Sequence, residues 1–139
     1  LGDNYLDLYK KNILINKYIK NEVGKNAIST YKRAFNIIEK TDKKISGRPD
    51  AVLFRKDEEK ALYEKIKNIR KAFTVKEDKK NYENLLIQLS EIKPFTDNFF
   101  DNVKVNDENY DIKNNRLELL KMLCNTFDIF INFSKIEGL

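Results

Sequence analysis

The sequence predicts an all-α protein, a bundle of five or six helices, and three observations carry that expectation. Apolar residues recur at steps of three and four along nearly the whole chain, the spacing that lines one side of an α-helix. Only four Gly and two Pro interrupt 139 residues, and 35% of the residues are charged with no polar low-complexity tract, a composition that favours helices over disorder. Strand-like alternation is confined to Val103-Lys104-Val105, too short to make a sheet. The length suits a single domain, and no internal repeat divides it.

The elements follow in order. A first segment, about Asn4 to Lys20, sets Leu6, Tyr9, Ile13 and Ile19 around one side, with Ile15 and Tyr18 widening the apolar face. Gly24 reads as a break. A second helix, about Asn26 to Lys40, carries Ala27, Ile28, Tyr31, Ala34, Phe35 and Ile38 at helical steps. From Thr41 to Asp50 the periodicity is lost and Gly47 and Pro49 mark a loop, which the apolar stretch Ala51 to Phe54 is expected to anchor on the core. Asp57 is the expected N-cap of a third helix bearing Leu62, Ile66, Ile69 and Phe73 and ending near Thr74. A polar link, Lys76 to Lys80, leads to a fourth helix with Tyr82, Leu85, Leu86, Leu89 and Ile92.

Pro94 suits the first turn of a short fifth helix, where a backbone N–H has no intrahelical acceptor to lose, and Phe95, Phe99 and Val103 then share a face. An acidic turn around Asn106 to Asn109 precedes the last helix, which is expected to run to about Ser134. Its stripe is Leu117, Leu120, Cys124, Phe127 and Ile131, broadened by Leu119, Leu123 and Phe130 as for a helix packed on two neighbours.

Charge is unevenly placed. Residues 1–9 carry two acids and no base, residues 10–80 carry 21 Lys and Arg against 10 Asp and Glu, and residues 81–139 carry 6 against 10, within a net charge of +5. A strongly basic first half is the kind of field that draws a polyanion, and RNA is the natural candidate. The competing reading is a residue bias: 22 of the 27 basic residues are Lys, a point charge poorer than Arg at forked contacts.

Several chemistries are excluded. The chain has no His, which removes the commonest general base and metal ligand and leaves hydrolytic triads and zinc sites without their parts. The single cysteine, Cys124, cannot form an internal disulfide; among Leu120, Leu123 and Phe127 it reads as buried and apolar, and fits a reducing cytoplasm. Carboxylate pairs such as Glu58-Glu59 and Asp107-Glu108 fall at helix starts and turns, and no Gly-rich phosphate loop accompanies them, so the chain is expected to be inert as a catalyst. No apolar run approaches the roughly 18 residues that span a bilayer, so no membrane partner is expected. The chain begins at Leu1, shows no sign of a secretory signal, and is expected to be a piece of a longer subunit.

From Pro94 to Leu120 the chain carries Phe99-Phe100-Asp101, Val103-Lys104-Val105, an acidic turn and Asn115-Arg116-Leu117, opening its last helix. This run resembles, residue for residue, the last segment of the bacterial glycyl-tRNA synthetase β subunit, whose C-terminal anticodon-binding domain has these elements in this order. Upstream, Lys32-Arg33-Ala34-Phe35-Asn36-Ile37-Ile38, Ile69-Arg70-Lys71 and the Tyr82 to Ile92 helix resemble the same domain, as does Phe127 to Ser134 downstream. The likeness covers about Ala27 to Ser134. Asn132 departs from the usual Asp, Lys113-Asn114-Asn115 replaces a more usual Arg-x-Asn, and the Asp-Ala-Leu-Arg tetrapeptide of the wider superfamily is absent.

The resemblance implies a tRNA-binding domain of a glycine–tRNA ligase that grips the anticodon arm of glycine tRNA. It also implies partners in the remaining β-subunit domains and a separate α subunit, with ATP and Mg used on those other domains and no cofactor here. Unpaired anticodon bases are read by side chains that bond their edges and by rings that stack on them. Lys32 and Asn36, four apart, share a face of the second helix, and Arg33 lies about 100° around from Lys32. This face is the first candidate for RNA contact, against a solvated flank. Arg48, in a Gly-Arg-Pro loop whose mobility would let it fold over a nucleotide, is a second. Arg70 and Lys71 are candidates that otherwise complement the third helix's C-terminal dipole. Phe100 beside Lys104 is a stacking candidate, and Arg116 is either an RNA contact or a lock on the turn through Asp101 or Asp111. The alternative function is an interaction bundle that docks subunits of a larger assembly, with its basic charge incidental and an exposed apolar patch as its mark.

Overall fold

The computed structural model describes residues 21–41, 44–74 and 82–130, and among them five α-helices and one 3-10 turn with no strand. The helices are α1 (Glu22–Glu39), α2 (Asp57–Thr74), α3 (Tyr82–Ser90), α4 (Lys93–Asn102) and α5 (Tyr110–Phe130), with the 3-10 turn at Ala51–Leu53. The all-α expectation holds. The expected helix at Asn4 to Lys20, the Lys76–Lys80 link, the Ile131–Ser134 end of the last helix, and the side chains of Phe73, Tyr82 and Phe130 lie outside the described residues.

α5 is the central element, packed on α1, α2 and α3, while α1 also packs on α3 and α2 on α4. Its apolar residues explain this: Leu119, Leu120, Leu123 and Phe127 are fully buried, and Leu117, Met122 and Cys124 nearly so, a stripe too wide for one neighbour. On α1 the small Ala27 and Ala34 lie one turn either side of Tyr31, all three buried, and the Tyr31 ring contacts Phe35 at 5.4 Å and Phe127 at 5.7 Å between centroids. Leu62, Ile66 and Ile69 of α2 and Leu85, Leu86, Leu89 and Ile92 around α3 complete one core. Each such side chain contributes about 1.5–3 kcal/mol through its removal from water.

Two helix starts differ from the sequence reading. Gly24 does not break the chain: it is buried within α1, which Asn21 starts by accepting the Gly24 N–H at 3.0 Å. A glycine costs a helix about 1 kcal/mol and a good cap returns about as much. Asp57 is the first helical residue of α2, not its cap. The capping is done by Glu59, whose Oε1 accepts the N–H groups of Arg55 and Lys56, each at 3.2 Å.

Pro94 sits in the first turn of α4 as expected, with Phe99 fully buried and Val103 nearly so. Lys56 Nζ donates to the Asn102 carbonyl at 2.7 Å, placing a cation on the carbonyl end of α4. Of the Ala51–Phe54 stretch only Phe54 anchors the loop in the core, edge-on to Tyr63 at 5.2 Å, while Val52 is 81% exposed.

Candidate nucleic-acid interface

Lys32, Arg33 and Asn36 are all exposed on α1, since the opposite side of that helix is spent on Ala27, Tyr31 and Ala34. α4 packs beside α1 and supplies the rest of the site. The Arg33 guanidinium carbon lies 4.1 Å from the centroid of the Phe100 ring, and its Nη1 stands 3.6 Å from Asp97 Oδ1. Asp97 is shared, since Lys93 Nζ donates to its Oδ2 at 2.8 Å. Arg33 is 49% exposed at its side chain, so these are surface contacts that set an orientation more than they add stability.

The Phe100 ring, expected as a stacking surface beside Lys104, is instead covered by Arg33 and edge-on to Phe99 at 5.3 Å between centroids. A half-buried ring under a guanidinium is a base for that arginine before it is a stacking surface for RNA. Arg33, with an aromatic below it and a carboxylate at its edge, is the oriented group of the site. Lys104 remains exposed, but its carbonyl accepts from Arg116 Nη1 at 2.6 Å.

Arg116 is removed from the surface. It is 3% exposed, and its Nη2 donates to Glu59 Oε1 at 3.1 Å while Nη1 reaches Asp107 Oδ2 at 3.4 Å. The expected partners, Asp101 and Asp111, are replaced by Glu59 and Asp107. The guanidinium ties the N-terminus of α2 to α5 and to the turn before α5, which excludes it from direct RNA contact in this conformation.

The Arg48 loop is clamped, in contrast to the mobility expected of it. Glu118 Oε1 accepts from Ser46 Oγ at 2.9 Å, Gly47 N at 2.6 Å and Arg48 N at 2.9 Å. Asn115 exchanges two bonds with the backbone of Asp50, at 2.6 and 2.9 Å, and Asn125 Nδ2 donates to the Ser46 carbonyl at 3.2 Å. Burial raises the Glu118 pKa, but the N–H of Arg48, the Ser46 hydroxyl and the N–H groups of Gly47 and Ser46 outweigh it and hold the group below the usual carboxylate value. Gly47 has φ +91°, and a Cβ there would lie 2.5 Å from Asn125 Nδ2 and 3.3 Å from the Met122 nitrogen, so glycine is required. The backbone of Arg48 is therefore held and only its exposed side chain is free to sweep. Arg70 is half-buried and Lys71 exposed near the end of α2.

The sequence reading placed Glu59 at a helix start but missed it as the partner of Arg116, and it missed Asp97 and the loop-clamping roles of Asn115, Glu118 and Asn125. The last three had a signal: they interrupt the richest apolar helix at steps of three and seven, a polar stripe along one side. Asp97 had none beyond its place on a short helix.

These features define a small all-α domain with an oriented arginine on a cationic helix face. The chain belongs to the DALR anticodon binding domain family, whose model matches residues 27–135. It is similar to the glycine–tRNA ligase beta subunits of Rickettsia africae (strain ESF-5), 37% identical over 133 residues, and Rickettsia prowazekii (strain Madrid E), 38% over 134, each alignment covering 96% of this chain and 20% of the relative. It is also 40% identical over 113 residues to that of Sulfurihydrogenibium sp. (strain YO3AOP1), covering 81% of this chain and 16% of the relative. The chain thus spans about a fifth of the length of the curated relatives it matches first. No helix among the described residues is long and apolar enough to cross a membrane.

Proposed function

We propose that this chain binds the anticodon arm of glycine tRNA as the RNA-gripping domain of a glycine–tRNA ligase β subunit. In this reading ATP, Mg and glycine are handled by other β-subunit domains and by an α subunit, in the cytoplasm, and this chain makes no bond. The observation that carries the reading is Arg33, exposed and oriented on Phe100, on the same helix as the exposed Lys32 and Asn36 in a member of an anticodon-binding family. Lysine and arginine meet phosphates, a stacked guanidinium offers its outer face to a base, and Asn36 offers both a donor and an acceptor to a base edge.

The docking-bundle alternative has less support. Among the described residues the exposed large apolar side chains are Val52, Tyr110 and Ile129. The last two stand near opposite ends of α5, about 28 Å apart along its axis, too far to form one patch.

The test is a gel-shift titration of the chain with the glycine tRNA anticodon arm, in competition with an unrelated tRNA. Lys32→Ala with Arg33→Ala should weaken binding and shrink the log–log salt slope by about 0.7 for each phosphate no longer neutralised. Unchanged affinity in the double variant rejects this face.

A further inference from the structure

A turn beyond Arg33, between the end of α1 and the start of α5, is an open groove of about 540 Å³. Its floor is apolar, from Ile37 and Leu117; Lys40 and Lys113 supply two cations, Asn114 an amide, and Tyr110 an aromatic ring. Tyr110 is 64% exposed, so part of its ring faces the solvent at the groove. None of the described residues lining the groove is acidic.

We infer that this groove is a subsite for one unstacked nucleotide of a single-stranded RNA, its base laid against Tyr110 over the apolar floor and its phosphate held by Lys40 and Lys113. The inference rests on the RNA-binding reading above and adds a place that the Lys32, Arg33 and Asn36 face does not include. The volume falls within the ~300–1,000 Å³ of small-ligand pockets, enough for a nucleotide and too little for a partner helix. An apolar floor beside an amide suits a flat ring with a polar edge, since Asn114 carries both a donor and an acceptor. Two lysines, with no carboxylate among the described lining residues to neutralise them, suit a phosphate.

The groove is also continuous with the candidate face. Ile37 follows Arg33 by four residues and Lys40 follows Asn36 by four, so the α1 wall of the groove extends the line of the RNA-facing residues. From Arg33 to Lys40 the helix rises about 10 Å, roughly three steps of a stacked strand at ~3.4 Å each. A loop crossing Arg33 therefore reaches Tyr110 within a few nucleotides.

The experiment titrates the chain, by fluorescence anisotropy, with the glycine tRNA anticodon stem-loop, intact and with each loop base in turn replaced by an abasic site. The wild-type chain should lose about 5- to 150-fold in affinity at one loop position, the range for removing one stacked base. Tyr110→Ala should show a comparable loss on the intact RNA and no further loss at that position, while Tyr110→Phe, which keeps the ring, binds as wild type. If Tyr110→Ala binds the intact arm like wild type while Lys32→Ala with Arg33→Ala does not, the subsite is refuted and the proposed function stands. If neither variant loses affinity, both fall. An abasic scan of the wild-type chain with no sensitive position overturns the subsite without recourse to any variant.

Discussion

Arg116 and Glu59, 57 residues apart in the sequence, form a buried ion pair between α5 and α2, Nη2 to Oε1 at 3.1 Å with the side chains 4% and 0% exposed. The same carboxylate oxygen also receives the N–H groups of Arg55 and Lys56 at the start of α2. One oxygen thus caps a helix and anchors the arginine that holds the turn before α5. The Asn115-Arg116-Leu117 marker is in this light a packing element: Asn115 holds the Arg48 loop, Arg116 the α2 cap, and Leu117 lies in the apolar stripe.

Removing either partner leaves a buried charge without compensation, a loss of about 3–5 kcal/mol. Arg116→Ala should therefore lower the urea midpoint of unfolding by that much stability, and its RNA affinity per folded molecule should stay near that of wild type. A variant that folds with native stability yet loses RNA binding would return Arg116 to the interface.

Arg33 owes its orientation to Phe100. Phe100→Leu keeps an apolar side chain at a half-buried position but removes the ring, so it should weaken binding of the anticodon arm by about 2- to 5-fold, the equivalent of an exposed cation–π contact. The salt slope should not change, because every cation that meets a phosphate is still present. Anisotropy titrations at several salt concentrations measure both; wild-type affinity in this variant would mean that the Arg33–Phe100 contact does not serve binding.

Glu118 makes the clamp on the Arg48 loop sensitive to acid. Its pKa is lowered on folding, so the unfolded chain binds a proton more readily and the stability the group contributes is present above the ordinary value of 4.5 and lost as pH falls through the folded value below it. Urea midpoints followed from pH 6 downward should decline less steeply in Glu118→Gln than in wild type. Parallel declines would show that the clamp carries no proton linkage.

Cys124 is 2% exposed, and burial, with Asp128 adding to it, pushes its thiol up to about 12. Little thiolate forms at pH 8, so the native chain should react with iodoacetamide far more slowly than the urea-unfolded chain, read as mass added per hour. Equal rates would place the thiol at the surface.

The sequence by itself determined the helices and their buried sides. The apolar steps of α1, α2 and α5 mark residues that are buried in the fold, and Pro94 marks the start of α4. These depend on helical periodicity, a local property that a run of about ten residues already expresses. Only the tertiary structure decided which polar side chains meet: Arg33 with Phe100, Arg116 with Glu59 in place of Asp101 or Asp111, and Glu118 with a loop 71 residues away. Several acids stood within reach of Arg116 by sequence, and the choice among them follows from how α2 and α5 cross. That crossing is set by the packing of many apolar side chains at once, which no local pattern encodes.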